Sequence, residues 1–283
     1  MRQTYTLSSY SPSGLRRMMN RRSSVGVIVV LIVSLGACGR LYGPKSAAVD
    51  TAPSPSGAGG QWTLTFVDKF ATSHSALRQW STCYDWACTN TGNDELEWYR
   101  AQNVSVSGGT LRLTARANGA HGKPYTSGMI QSNHHYVFRY GFAEIGAKVP
   151  TGPGLWSAFW LLPSDRSWPP EIDVMEIYGS QPTVAVMTVH YGPNLVAHQS
   201  FLGPNFSNGF HTFGVDWEPN SVSWYIDGVL RLHVGVSIAA PMYLLANLAI
   251  NGVAPPTAST DFPSVMAIEW IRVWQHPGGR RTG

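Results

Sequence analysis

The chain has 283 residues, with 20 Lys and Arg against 16 Asp and Glu and a formal charge of +4. Only 13% of residues are charged, which excludes a long disordered polyelectrolyte. The 29 Gly and 19 Pro exclude a helical bundle or coiled coil, and no apolar run reaches the roughly 18 to 20 residues of a polytopic membrane protein. Length alone allows two small domains or one large β domain.

The positive charge is concentrated at one end. Arg2, Arg16, Arg17, Arg21 and Arg22 all precede residue 38, where no acid occurs. The remainder carries fifteen basic and sixteen acidic residues, a formal charge of −1. Net charge therefore gives no support to a nucleic-acid partner.

Arg21-Arg22 precede an uncharged stretch, 23–37, with an apolar centre at 25–35. A basic flank before a short apolar run is an export-signal pattern, too short for a comfortable bilayer span. Leu35-Gly36-Ala37-Cys38 at its end resembles the bacterial lipoprotein signal, which implies lipidation of Cys38 and a membrane anchor outside the cytoplasm. An ordinary secretory cleavage or an uncleaved anchor are the alternatives. The paired arginines also match, more weakly, a twin-arginine signal, and Met18-Met19 leave the true start open. With Cys38 lipidated, Cys83 and Cys88 remain as a pair, for which export favours a small-loop disulfide over free thiols. Two isolated cysteines fall short of the four ligands of a structural zinc site.

Residues 38–60 are rich in Ala, Pro, Ser and Gly and read as a flexible linker, followed by a folded unit over 61–276 and a disordered tail at 277–283. Within 61–276, alternating or apolar runs predict strands at 62–67, 110–116, 140–149, 184–191, 221–227, 242–250 and 266–275. Asp227-Gly228 between two such runs is a hairpin signal. A dozen or more strands exceed one flat sheet, so the expected fold is all-β: a two-sheet antiparallel β-sandwich of jelly-roll type with a concave cleft.

Three of the 16 carboxylates fall within six residues, in Glu171-Ile172-Asp173-Val174-Met175-Glu176. Buried unpaired charge is costly, so these acids must line a wet cleft. Alternation places Glu171 and Asp173 on one face, and a one-residue bulge at Val174-Met175 brings Glu176 to it. Two Glu carboxyls roughly 5–5.5 Å apart suit a retaining glycosidase. Asp173 between them is expected to repel a second negative charge and keep one Glu protonated.

This segment resembles the Glu-x-Asp-x-x-Glu signature of glycoside hydrolase family 16. Asn93-Asp94-Glu95-Leu96-Glu97-Trp98-Tyr99, Tyr125-Thr126-Ser127-Gly128, and segments 140–144, 154–163, 188–192, 210–219, 224–228 and 241–250 are similar to bacterial β-1,3-glucanases of that family, in the expected order. The resemblance implies a concave jelly roll and retaining hydrolysis of β-1,3-glucan, with Glu171 as nucleophile, Glu176 as acid/base and Asp173 as auxiliary carboxylate. Transglycosylation, a galactan substrate and a non-catalytic glucan-binding role are the alternatives. It implies Trp156 and Trp160 as sugar platforms, with core packing as the bland reading. His190 would reach toward Glu176 or the leaving sugar, and Asn93, Trp98 and Asn247 would contact substrate. Trp62, Trp217, Trp224, Trp270 and Trp274 read as core.

Two positions depart from the family. Met129 follows Ser-Gly where many relatives carry a basic residue. Relatives often hold a structural calcium near the chain ends; here Lys69 follows Asp68 where an acid is usual, and Glu269 stands where Asp is common. No cofactor is required by the chemistry, a structural calcium is left open with no metal site assigned, and a monomer is expected.

Overall fold

The computed structural model describes residues 54–71 and 77–277. The expected export signal, Cys38, the linker up to residue 53 and residues 278–283 of the tail lie outside them. Sixteen strands run through the described residues: β1 (Thr63–Asp68), β2 (Glu97–Tyr99), β3 (Val104–Ser107), β4 (Thr110–Ala115), β5 (Tyr125–Ser127), β6 (Met129–Gln131), β7 (Gly141–Lys148), β8 (Leu155–Pro163), β9 (Glu171–Tyr178), β10 (Val184–Gly192), β11 (Leu195–Leu202), β12 (His211–Glu218), β13 (Ser221–Ile226), β14 (Val229–Val234), β15 (Met242–Ile250) and β16 (Ser264–Gln275).

Two antiparallel sheets carry the fold, as the strand count requires. The outer sheet runs β14-β13-β12-β7-β16-β4-β3, with β1 also on β16; the inner sheet runs β11-β10-β9-β8-β15-β6. At twelve residues, β16 is long enough to pair β4 with its first half and β1 with its second. A small parallel pair, β2 with β5, stands apart from both.

Alternation explains the packing. In β13, Val222, Trp224 and Ile226 point inward while Ser221, Ser223 and Tyr225 are half exposed. At the hairpin that follows, Asp227 (φ 51°) and Gly228 (φ 72°) are both left-handed, the two-residue turn that matches strand twist. Trp217, Trp224 and Trp274 are buried as expected, whereas Trp62 and Trp270 are half exposed. Trp62 stacks on His276 and Trp270 lies under the Arg272 guanidinium, so partners of their own on the molecular surface replace the core.

A buried indole N–H needs an acceptor. Trp224 Nε1 donates to the Asp173 carbonyl at 2.8 Å, tying the outer sheet to β9 of the inner one. Trp224→Phe is expected to cost about 1–3 kcal/mol, because it leaves that carbonyl unpaired in the core; urea unfolding measures it.

The linker is shorter than its composition indicated. Residues 54–60 lie against the outer sheet, with Pro55 buried and Ser56 hydrogen-bonded to Glu144. Gly57 (φ +83°) meets the hairpin so closely that an added Cβ would stand 1.9 Å from Gly228 O. A Pro/Ser/Gly segment docks by backbone proximity, which hydrophobicity does not report.

Candidate active site

β9 lies between β8 and β10 in the inner sheet. Against β10, Asp173 faces Thr188 and Glu176 faces Val186, so three steps of β9 cover two of its neighbour. Against β8, Trp160 faces Asp173 and Phe159 faces Met175. The irregularity is the expected bulge at Val174-Met175. Val174 and Met175 both enter the core, while Glu171, Asp173 and Glu176 line one cleft with Trp156, Trp160, Asn93 and Asn247. The cleft continues from Glu171 into a cavity of about 440 Å³ lined by Trp86, Asn93, Trp160, Trp168 and His190.

The wall residues are held by specific bonds. Trp156 Nε1 donates to Glu176 Oε1 at 3.1 Å. Trp160 Nε1 donates to Asn247 Oδ1 at 2.8 Å, and Asn247 Nδ2 donates to the Tyr99 hydroxyl at 3.0 Å. Asn247 is thus buried behind Trp160 as its support. Met129, paired with Asn247 across β6 and β15, packs with Trp160 in one small apolar cluster. Asn247→Leu is expected to destabilise the fold by about 1–3 kcal/mol, since two buried polar groups lose partners, and to raise KM for soluble glucan. Thermal unfolding and initial rates measure the two effects.

Two placements differ from expectation. His190 stands opposite Glu171, not Glu176, with Nε2 3.8 Å from Asp173 Oδ2. The antiparallel register decides this: β10 runs back past β9, so Thr188 is the residue that hydrogen-bonds Glu176. Trp98 stacks on His121 at 4.4 Å and is absent from the cleft lining; in β2 it points away from buried Glu97 and Tyr99 on either side. Both Asp68 carboxylate oxygens accept protein donors, from Phe70 N and Trp80 Nε1, and Glu269 is exposed. Cys83 and Cys88 are joined by a disulfide, the expected pairing.

Sequence reasoning missed Trp168 and Thr188. Trp168 Nε1 donates to Glu171 Oε2 at 2.7 Å from the Pro-rich loop just before β9. Thr188 shares a face with His190 by period 2, so it was findable once β9 and β10 were paired.

The three acids divide the charge unequally. Burial is the largest influence on each and raises all of them. Asp173 is pushed well above the usual range by burial and then by Glu171 and Glu176. Glu171 is raised by burial, but the Trp168 indole, nearby His190 and a hydrogen bond with Asp173 all favour its ionised form. Of the two neighbours, Glu171 is the one whose ionised form has more support from surrounding groups. Glu176 is raised to about 7 by burial and by the charge on Glu171, against the opposing Trp156 and Thr188 hydrogen bonds. The charge that raises Glu176 is that of Glu171, where Asp173 was expected. Glu171, Asp173 and His190 also bring one potential ligand atom each within 4.8 Å.

Paired glutamates along an aromatic-walled cleft of a two-sheet β fold define the glycoside-hydrolase class of site. The chain belongs to Glycosyl hydrolases family 16, which matches residues 92–271. It is similar to Endo-1,3-1,4-beta-glycanase EglC of Rhizobium meliloti, at 35% identity over 75% of this chain and 51% of that protein. Among solved structures it resembles the endo-β-1,3-glucanase of Pyrococcus furiosus (30% identity, TM-score 0.71, 77% of this chain and 96% of that one). The laminarinase catalytic domain of Thermotoga petrophila is also similar (28% identity, TM-score 0.71, 77% and 99%). The chain spans about half the length of the curated Rhizobium meliloti relatives that it matches.

Proposed function

We propose that the chain is a retaining endo-β-1,3-glucanase acting by double displacement. The observation that carries this is the β9 bulge, which brings Glu171, Asp173 and Glu176 into one cleft walled by Trp156 and Trp160. Glu176 gives its proton to the glycosidic oxygen while the Glu171 carboxylate attacks the anomeric carbon. The C–O bond to the leaving sugar breaks as the bond to Glu171 forms. Glu176, now a carboxylate, takes a proton from water, and the resulting hydroxide displaces Glu171 with net retention. His190 and Asp173 hold the nucleophile; Trp156 and Trp160 offer flat faces to sugar rings.

β-1,3 linkages are the favoured substrate, supported by the inserted Met175 and by the similarity to named β-1,3-glucanases. Mixed β-1,3-1,4-glucan is the second reading, because the relative EglC is named for it. Assay of laminarin, lichenan, agarose and carrageenan, with product sizing and NMR of the first anomer released, tests both. Internal cleavage of laminarin to the β-anomer is expected. No reducing ends from either β-glucan would overturn the reading.

The protein would work outside the cytoplasm as a monomer, tethered through a lipid on Cys38. Supporting this are the apolar run before Cys38 and the small residues at Gly36-Ala37. Radiolabelled palmitate should enter the wild-type chain and not Cys38→Ser; equal labelling of both would refute the anchor.

A further inference from the structure

The loop between Cys83 and Cys88 is fastened at almost every residue but one. Its ends are joined by the disulfide, five positions apart. The Tyr84 hydroxyl donates to buried Glu95 Oε1 at 3.1 Å, and the Tyr84 ring meets Trp160 edge-on at 6.1 Å. Asp85 accepts Gln131 Nε2 at 3.0 Å and also takes Asn133 Nδ2. Trp86 alone turns outward, 46% exposed, and lies flat on Tyr84 at 4.6 Å and 7°.

The two stacked rings face different parts of the cleft. Tyr84 lines the part that holds Glu176 and Asp173, Trp86 lines the 440 Å³ cavity that holds Trp168, and Glu171 and Trp160 border both. A pyranose has an apolar C–H face, and a rigid indole backed by a second ring meets it with little ordering cost. The nucleophile bonds to the anomeric carbon of the donor half of the chain. The cavity that contains Glu171 and lacks Glu176 is therefore the donor side.

We propose that Trp86 is a sugar-stacking platform of a distal donor subsite, held in place by the Cys83–Cys88 disulfide. The inference rests on the β-glucanase reading above and deepens it: longer β-glucan chains gain rate by reaching Trp86. A buried tyrosine needs no exposed indole on its outer face for stability, so chain-length dependence separates the two roles.

The test measures kcat/KM on β-1,3-gluco-oligosaccharides of three and seven units. In wild type, the heptamer should be favoured over the trimer. In Trp86→Ala that ratio should fall about tenfold through KM on the heptamer, and Trp86→Phe should recover part of it. The double variant Cys83→Ser/Cys88→Ser should lower the same ratio. Thermal unfolding of Trp86→Ala, close to wild type, excludes general damage. A ratio within twofold of wild type in Trp86→Ala overturns the platform while leaving the glucanase reading standing. A wild-type chain that cleaves neither oligosaccharide overturns both.

Discussion

Glu171→Gln should lower kcat on laminarin by on the order of 10⁴-fold or more, the scale of removing a group that forms the covalent bond. The amide is nearly isosteric and can still accept the Trp168 indole, so near-UV circular dichroism should match wild type. Glu176→Gln should lower kcat by about 10² to 10⁴-fold, the usual worth of a general acid. The two variants separate on an aryl β-glucoside of the same glucan. A good leaving group needs no proton, so Glu176→Gln should form the glycosyl-enzyme and stall there. Added azide, which needs no general base, should then restore turnover and give a β-glycosyl azide. Glu171→Gln should give no covalent intermediate at all, and mass spectrometry of the intact protein reads the difference. Near wild-type turnover by either variant would refute the assignment.

The alkaline limb of kcat/KM on laminarin should fall with a midpoint near pH 7. Glu176 must enter the reaction protonated, and its carboxyl is pushed to about 7 by burial and by Glu171. The acid limb reports ionisation of Glu171, whose pKa is raised above 4.5, so rate should be lost as pH falls through a point above that value. The pair titrates together, so the two limbs are properties of both carboxyls. The same shift weakens the fold on the alkaline side. A carboxyl with a raised folded pKa binds its proton more tightly folded than unfolded, so stability falls as pH rises from 4.5 through about 7. Glu176→Gln removes that group and should unfold at higher temperature than wild type at pH 8, with a smaller difference at pH 4. An alkaline limb unchanged in a variant that weakens the charge on Glu171, such as Trp168→Phe, would separate limb position from the Glu171 field.

The acids illustrate how much of the site was readable in advance. Glu171, Asp173 and Glu176 stand out because three carboxylates in an apolar strand have no other affordable place than a cleft. The bulge followed from the same reasoning, since five positions do not share a face without an extra residue. Trp156 and Trp160 entered through the family resemblance, which implied them as sugar platforms. Which acid carries the charge did not follow, because it depends on Trp168, Thr188 and His190 arriving from other segments.

The fold divides in the same way. Period-2 runs and Asp227-Gly228 determined an all-β chain with its hairpin, because those features are local properties of backbone and side-chain alternation. Strand order was beyond them: β7 lies between β12 and β16, and β8 between β9 and β15, pairings set by packing across the core. Trp98 and Trp62 looked like their neighbours in composition, and only long-range contacts with His121 and His276 placed them outside cleft and core. The segment 54–60 looked like part of a linker because its docking uses Gly57 and Ser56, whose contacts are close backbone approach and hydrogen bonding. The sequence by itself determined which residues must be kept in water or out of it. The tertiary structure decided which of them meet, because proton affinity and register are set by neighbours distant in the chain.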